Sequence, residues 1–513
     1  MKRKLPRWEL DLFLSLICAL ILGALLAAAS AGAFFQSWLA FGSILVIGIF
    51  VCLQVWRLFG SSRALAALMA VTLALRLLVA VAVMQALPVW GYDNPVNNGG
   101  FLYSDAFDRD QAAFKLASQN QSLFTAFSAP DKSDQYGGLL FLTAATYRVL
   151  SPDVARPLLI SLLSALAMTV GIAFLWAAVQ KRWSKKIALI TCWIVALFPD
   201  SVFLGSSQMR EPFLIGLCCI ALWGILKWRE KPVHSLLIAA AAIGVAFVFS
   251  IPAAGIFSVV IGSILLLEVS LAQTKKLPRL IGLGLLIVLA LGAVVAGWFW
   301  LKPTLYFDSF TTMTQSGWIS ALITQYGDRF TIPFTTVYGL TQPMLPAAIV
   351  DPSVWIWKTV AILRALGWYA ALPFLFYAFV AVWKAPKNES KWVLILLNLI
   401  FFLWVVISSA RAGGDQWDNP RYRYFLLPFM ALIIAWGWEH YRQTRSPWLW
   451  GCVAIIAEFL VLFINFYINR FTRTSINLPL FKTLKYSAIA ALLILAICAV
   501  IDLLRHRSQK LQG

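Results

Sequence analysis

Residues 102–119 read LYSDAFDRDQAAFKLASQ and place three carboxylates, Asp105, Asp108 and Asp110, just after a long apolar segment. At helical spacing Tyr103, Ala106, Phe107, Ala113, Phe114 and Ala117 form one apolar face, with Asp105, Asp108 and Arg109 turned away from it. The stretch is therefore an amphipathic helix that lies on something. Asp110 falls among Ala106, Phe107, Ala113 and Phe114, so its carboxylate has to meet a partner, a metal or a pocket rather than open water. Two readings fit the acids at this point: a surface helix with Asp105 and Asp108 near its N-terminus, where the dipole favours negative charge, or a functional site. The surrounding chain bears on the choice.

Of 513 residues 61% are hydrophobic and only 12% charged, and the mean hydropathy is +0.80. A soluble domain carries about 25% charged residues, so the chain reads as an all-α polytopic membrane protein. Apolar runs near the length of about 20 residues needed to cross a bilayer occur at 10–31, 38–56, 64–87, 154–179, 187–204, 213–226, 233–249, 253–272, 280–300, 354–382, 392–408, 424–438, 448–468 and 486–504, which predicts fourteen spans.

The net charge of +20 would suit nucleic acid, but its placement argues against that partner. Lys2, Arg3, Lys4 and Arg7, then Arg57 and Arg63, then Lys181 to Lys186, Lys227 to Lys231, Lys275 to Arg279, Lys384 to Lys391, Arg442 and Arg445, and Arg505 to Lys510 fall in every second loop. By the positive-inside rule both termini lie in the cytoplasm. Most acids occupy the opposite loops, among them Asp93, Asp105, Asp108, Asp110, Asp131, Asp134, Asp200, Glu211, Asp351, Asp415 and Asp418. Chemistry is thus expected on the outside. Arg470, Arg473, Lys482 and Lys485 break the alternation before the last span.

The basic N-terminus followed by an apolar run resembles a secretory signal, but the run exceeds the 7 to 15 residues of a cleaved one and reads as a retained first span. Seven cysteines all lie in apolar segments, and the three histidines sit near cytoplasmic ends, so neither residue type suggests a metal site. The expected organisation is a transmembrane hairpin over 1–63, a catalytic core over 64–440 with outer loops 89–153, 301–353 and 410–423, and C-terminal transmembrane helices over 441–513.

The first long loop should contain the acidic helix and a second apolar one over 135–150, QYGGLLFLTAATYRVL, at the membrane surface. Between the fifth and sixth runs the chain reads FPDSVFLGSSQMREPF, residues 198–213. The sixth run is too short for a bilayer of about 30 Å at about 1.5 Å per residue, so the turn should sink inward and carry Asp200, Arg210 and Glu211 below the outer surface. Pro212 suits the first position of a helix, which also makes Glu211 a candidate cap. Loop 301–353 mixes aromatic residues with prolines and suits an interfacial lid over a lipid chain. Arg364 lies about ten residues into its span and needs an anionic partner; Arg76 and Glu458 raise the same question. Residues 410–423, ARAGGDQWDNPRYR, add Arg411, Arg421 and Arg423, whose guanidinium groups suit a lipid phosphate.

YSDAFDRDQAAFKLA at 103–117, ALFPDSVFLGSSQMREPFLIGL about ninety residues later and NPRYRYFLLP at 419–428 resemble, in that order, the GT-C class of polyprenyl-phosphate-sugar-dependent membrane glycosyltransferases, which includes protein O-mannosyltransferases and the lipid A aminoarabinose transferase. The resemblance implies a GT-C-like fold and Asp105 as catalytic base. It also implies Glu211 as the acid that opens a later helix. The family shows a second acid or a tyrosine close behind the first aspartate, whereas Phe107 and Asp108 stand here, which leaves Asp105 and Asp108 both in play.

The same resemblance implies a polyprenyl-phosphate sugar as donor, and a glycan, lipid or protein hydroxyl as acceptor. Transfer would be a single displacement with inversion on the outer face of a bacterial inner (plasma) membrane. A carboxylate with an ordinary pKa of about 3.9 is a weak base, so the site would need to be desolvated. The leaving phosphate needs positive charge, from Arg421, Arg423, Arg364 or Arg210, or from a divalent ion such as Mg²⁺ or Mn²⁺ held by Asp105, Asp108 and Asp110. Two other classes stay open at this stage. A lipid-linked-oligosaccharide ligase or polymerase would share the outer arginines, and a lipid or solute transporter would show paired halves with interrupted helices.

Overall fold

All fourteen apolar runs fall on helices, because a backbone that crosses lipid must satisfy its amides within the segment. The computed structural model describes residues 7–119, 121–128, 135–315, 317–386, 389–412, 415, 418–474 and 476–511, and these form helices and turns only. Lys2, Arg3, Lys4, Asp131 and Asp134 lie outside the described residues, as do the side chains of Tyr306, Phe307, Trp318 and Asp418.

Among the described residues eleven helices are long and apolar enough to cross a membrane, or up to twelve if one bent pair counts as a span. Three of the fourteen runs account for the difference. Run 187–204 is the bent pair, run 213–226 is a helix of only 16 residues, and run 424–438 falls on a helix whose last turns, EHYRQT, are polar. The chain is a multi-pass membrane protein.

The helices divide into two compact units, one of residues 1–265 with 424–428, the other of 266–423 with 429–513. The first unit begins with α1 (Arg7–Ala28), α2 (Phe34–Leu58) and α3 (Arg63–Trp90), then places the small helices α4 (Pro95–Asn98), α5 (Ser104–Ser118), α6 (Thr125–Ser128) and α7 (Gly138–Leu150) in the first long loop. It continues with α8 (Leu158–Arg182), α9 (Lys185–Leu197), α10 (Pro199–Gly205), α11 (Glu211–Leu226), α12 (Pro232–Phe249) and most of α13 (Ile251–Ala272). α1 and α2 pack against each other, with Arg57 on α2 donating twice to the buried Asp11 of α1. α8 is the centre of the unit, with α2, α3, α9 and α11 packed around it. Small residues allow the closest of these approaches. A Cβ at Gly171 would lie 2.6 Å from the Gly216 Cα on α11.

The fifth run breaks where the sequence supplies a reason. Pro199 has no N–H to give to the Val195 carbonyl, and α10 leaves α9 at 56°. Arg76, from the middle of α3, takes up the exposed acceptors: it donates to the carbonyls of Val195 (3.2 Å) and Ala196 (3.1 Å) and to the Ser201 hydroxyl (2.8 Å). This answers the question its position in a span raised, with backbone dipoles in place of a carboxylate.

In the second unit α14 (Lys276–Gln315) is 40 residues long, about 60 Å at 1.5 Å per residue. It carries helix well into the loop expected at 301–353, which then continues as α15 (Gly317–Tyr326), a 3₁₀ turn, α16 (Thr331–Thr341) and α17 (Leu345–Val350). α18 (Trp355–Lys384), α19 (Glu389–Ala412), the short α20 (Asp418–Arg423), α21 (Leu427–Thr444), α22 (Trp448–Thr472) and α23 (Leu480–Leu511) complete it. α17 and α18 pack on α22, α16 on α19, and α22 on α23.

Candidate active site

The acidic stretch is the helix its periodicity predicts, α5, and the irregular NPVNNGG lead-in is built to place it. Asn94 caps α4 by accepting from the Asn97 amide, Asn97 in turn accepts from the Tyr92 amide, and Gly100 turns at φ +76°, where a Cβ would lie 2.6 Å from the Met84 carbonyl oxygen on α3. At the far end Arg148 of α7 reaches across to the carbonyls of Leu116, Ala117, Gln119 and Gln121, capping α5 from a neighbouring helix. Phe114 meets the Tyr147 ring edge-on at 5.9 Å.

Asp110 is buried at 3% exposure and accepts a short hydrogen bond from the Tyr147 hydroxyl, so the carboxylate set among apolar neighbours does find a partner. Burial pushes this carboxyl up to about 7, against the opposing pull of the Tyr147 bond, and burial likewise pushes the Tyr147 phenol well above its ordinary value. Asp105 is half-buried in the first turn of α5, and Asp108, one turn on, is exposed. Arg109 departs from expectation. It is 4% exposed and donates to the Gln208 carbonyl at 2.8 Å. The apolar face accounts for the packing on α7, and Arg109 adds a contact with the turn after α10.

That bond matters because Gln208 belongs to the turn SSQMREP, ninety-nine residues after Arg109. A second tie runs from the same turn, where the Arg210 guanidinium lies 5.0 Å from the centre of the Tyr136 ring just before α7. Within the turn Asp200 and Glu211 are fully buried and Arg210 is half-buried. Glu211 sits in the first turn of α11 beside Pro212, and the N-cap position falls to Arg210. Behind the N-terminus of α5, Met84, Gly100, Ala106, Pro157, Ser161 and Gln208 line a cavity of about 20 Å³, room for about one water.

The structure does not gather Asp105, Asp108 and Asp110 as a ligand set. Among the described residues there is no group of three or more His, Cys, Asp or Glu side chains placed to hold a metal ion, and the Asp110 carboxylate is directed at Tyr147.

Arg364, Arg421 and Arg423 belong to the second unit. Arg423 is fully buried, donates to the carbonyls of Gln342 (2.9 Å) and Gly339 (3.0 Å) at the end of α16, and stacks 3.8 Å from the centre of the Trp368 ring. Trp368 itself donates to the Leu340 carbonyl, so both residues fasten the same helix end. Arg411 lies over the Tyr422 ring at 4.7 Å, and Arg421 and Arg364 are buried. Arg148 and Gln208 are residues that the sequence reading did not single out, and Arg109 it turned away from the packed face. Only Arg148, a base in the last turn of an apolar helix, carried a local signal.

Residues 142–298 match the family model of dolichyl-phosphate-mannose-protein mannosyltransferase. This is a family that the sequence resembles. The matched segment contains Tyr147, Asp200, Arg210 and Glu211, and it begins after Asp105. No curated protein matches the chain. Among solved structures, an archaeal oligosaccharyltransferase, AglB from Archaeoglobus fulgidus in complex with an inhibitory peptide and a dolichol-phosphate, is similar at 12% identity and a TM-score of 0.33. The likeness covers 83% of this chain, which spans 55% of that one.

The state of Asp110 gives a pH prediction. In the folded protein its carboxyl holds the proton up to about pH 7, whereas unfolded it ionises near 3.9. Across that window the folded state binds more protons, so stability falls as pH rises, by up to roughly 4 kcal/mol for three pKa units. Asp110→Asn should flatten this loss, read as unfolding temperature at pH 5 and pH 8. An equally steep fall in both proteins would show that Asp110 does not set it.

Proposed function

We propose that the chain is a membrane glycosyltransferase that moves a sugar from a polyprenyl-phosphate donor to a hydroxyl acceptor on the outer face of a bacterial inner membrane, by single displacement with inversion. The observation that carries this reading is the Arg109 to Gln208 bond, which joins the acidic helix to the buried turn. That turn lies within the segment matching the mannosyltransferase family.

In the proposed step Asp105 takes the acceptor's proton while the acceptor oxygen bonds to the anomeric carbon. The bond from that carbon to the phosphate oxygen breaks, and polyprenyl phosphate leaves with the electron pair. Asp108, one turn on, is the alternative base. Glu211, fully buried in the first turn of α11 next to Arg210, is the second acid of the proposed site. Positive charge for the phosphate comes from arginine, with Arg210, Arg364 and Arg421 as candidates, while Arg423 is already spent on carbonyls and a ring. The acceptor is a glycan, a lipid or a protein.

The test is transfer by the purified full-length chain from a labelled polyprenyl-phosphate sugar to a hydroxyl acceptor, with the product's anomeric configuration determined. Absence of transfer would overturn the enzyme reading, and a product of unchanged anomeric configuration would overturn the inverting one. Arg421→Ala should weaken donor binding roughly 10- to 100-fold, as expected for a lost charge-assisted contact of about 1.5–3 kcal/mol. Unchanged affinity would remove Arg421 from the phosphate site. For the outward face, a cysteine at the exposed Ser122 in a cysteine-free background should react with an impermeant reagent in intact cells and one at Lys186 should not. The reverse pattern would invert the topology.

A further inference from the structure

Far along the chain from the acidic helix, an open groove of about 560 Å³ runs between α22 and α23, within the second unit. Its size is that of a site for a small molecule. Trp450, Gly451, Ala454, Ile494, Ile497 and Ile501 make its walls apolar. α23 also carries exposed Leu492, Leu493, Ile497 and Val500, so the groove opens onto an apolar surface of the kind that faces lipid. The other end is cationic. Arg445, held in the left-handed region at φ +51°, and Arg505 both line it, and Arg505 Nη1 donates to the Arg445 carbonyl at 2.6 Å. Asp502 lies 3.5 Å from Lys384 Nζ and accepts from the Trp448 indole, and Glu439 lies 3.6 Å from Arg442. Among the described side chains at this end the cations Lys384, Arg442, Arg445 and Arg505 outnumber the acids Asp502 and Glu439, so the field there is positive.

We propose that this groove binds an anionic phospholipid, with its phosphate against Arg445 and Arg505 and one acyl chain along Ala454, Ile494 and Ile497. Apolar walls that continue into a lipid-facing surface suit an occupant entering sideways from the bilayer, and a soluble anion would gain nothing from them. Guanidinium groups bind phosphate oxygens in a fork. A zwitterionic lipid would bring an ammonium group to the same cations, so the charge pattern selects a net negative headgroup. On the alternation of basic loops this end is cytoplasmic, the leaflet whose anionic lipids attract juxtamembrane arginine. The site is independent of the glycosyltransferase reading.

The test is native mass spectrometry of the full-length protein titrated with dioleoyl phosphatidylglycerol or dioleoyl phosphatidylcholine. The wild type should hold one phosphatidylglycerol at concentrations where phosphatidylcholine dissociates. The pair Arg445→Gln with Arg505→Gln should weaken that binding about ten-fold or more, and the pair Arg445→Lys with Arg505→Lys should keep most of it, because charge rather than the Arg505 to carbonyl bond is what the lipid reads. Ala454→Trp, which fills the chain channel and leaves both arginines, should weaken it as well. If the glutamine pair does not fold, the lysine pair and Ala454→Trp decide the matter. Equal retention of both lipids, or phosphatidylglycerol binding unaffected by Ala454→Trp, overturns the proposal.

Discussion

Asp105→Asn should leave a folded protein whose sugar transfer is about 10²- to 10⁴-fold slower, the usual cost of removing a general base. Asparagine keeps the size of the side chain and most of its hydrogen bonding, but it cannot accept a proton at neutral pH. Asp105 stands half-buried in the first turn of α5 and is not among the residues that line the cavity beside that turn. If its role were only to favour the helix dipole, the same change would cost about 1 kcal/mol of stability or less and leave turnover almost intact. One variant therefore separates the two readings, provided that its unfolding temperature is measured alongside turnover. Asp108→Asn is the necessary companion, since Asp108 is the more exposed of the pair. A slow Asp108 variant beside a normal Asp105 variant would move the base by one turn. Normal rates in both would remove the acidic helix from the chemistry.

The parts of this site that were legible in the sequence are those fixed by local rules. Period 3.6 placed α5, the short sixth run and Pro212 placed the buried turn, and an aspartate among apolar neighbours announced that Asp110 needed a partner. The identity of that partner was not legible, because Tyr147 lies 37 residues later on a helix whose facing depends on packing. Arg109 was placed on the solvent side for the same kind of reason. Amphipathicity reports one buried face, while Arg109 adds a further contact, made to a backbone carbonyl that carries no signal in the sequence. Arg423 shows the limit from the other direction. An arginine beside the membrane invites a phosphate, yet this one is consumed by the last carbonyls of α16 and the face of Trp368, acceptors that exist only once the chain has folded. The division of the chain at Leu265 inside α13 has no marker in composition either, since apolar helix runs on both sides of it.

Arg76→Met should be the most damaging single change to the scaffold, lowering stability by about 2 to 4 kcal/mol with the acidic helix itself untouched. The arginine lies fully buried in the middle of α3, and it serves a break that Pro199 makes unavoidable. Methionine would fill similar volume but leave the Ala196 carbonyl without its donor and the Val195 carbonyl with the Ser201 hydroxyl alone. A buried acceptor left unsatisfied costs about 1–3 kcal/mol, and the second carbonyl adds part of that again. Gly205 shows how closely α10 is fitted to this side chain, since a Cβ there would lie 2.5 Å from Arg76 Nε. Arg76→Lys should recover part of the loss, because one ammonium can reach one carbonyl but lacks the fork that spans two. The loss should also reach activity. α10 leads into the turn that carries Gln208, and Gln208 anchors Arg109 of α5, so loosening the break loosens the support of Asp105. The measurement is the unfolding temperature of wild type, Arg76→Met and Arg76→Lys in one detergent, with transfer assayed below all three midpoints. If the methionine variant melts with the wild type, the bend is held by the packing of α9 and α10 on α8 and not by the guanidinium; if it melts early yet transfers at the wild-type rate below its midpoint, the turn does not govern the position of Asp105.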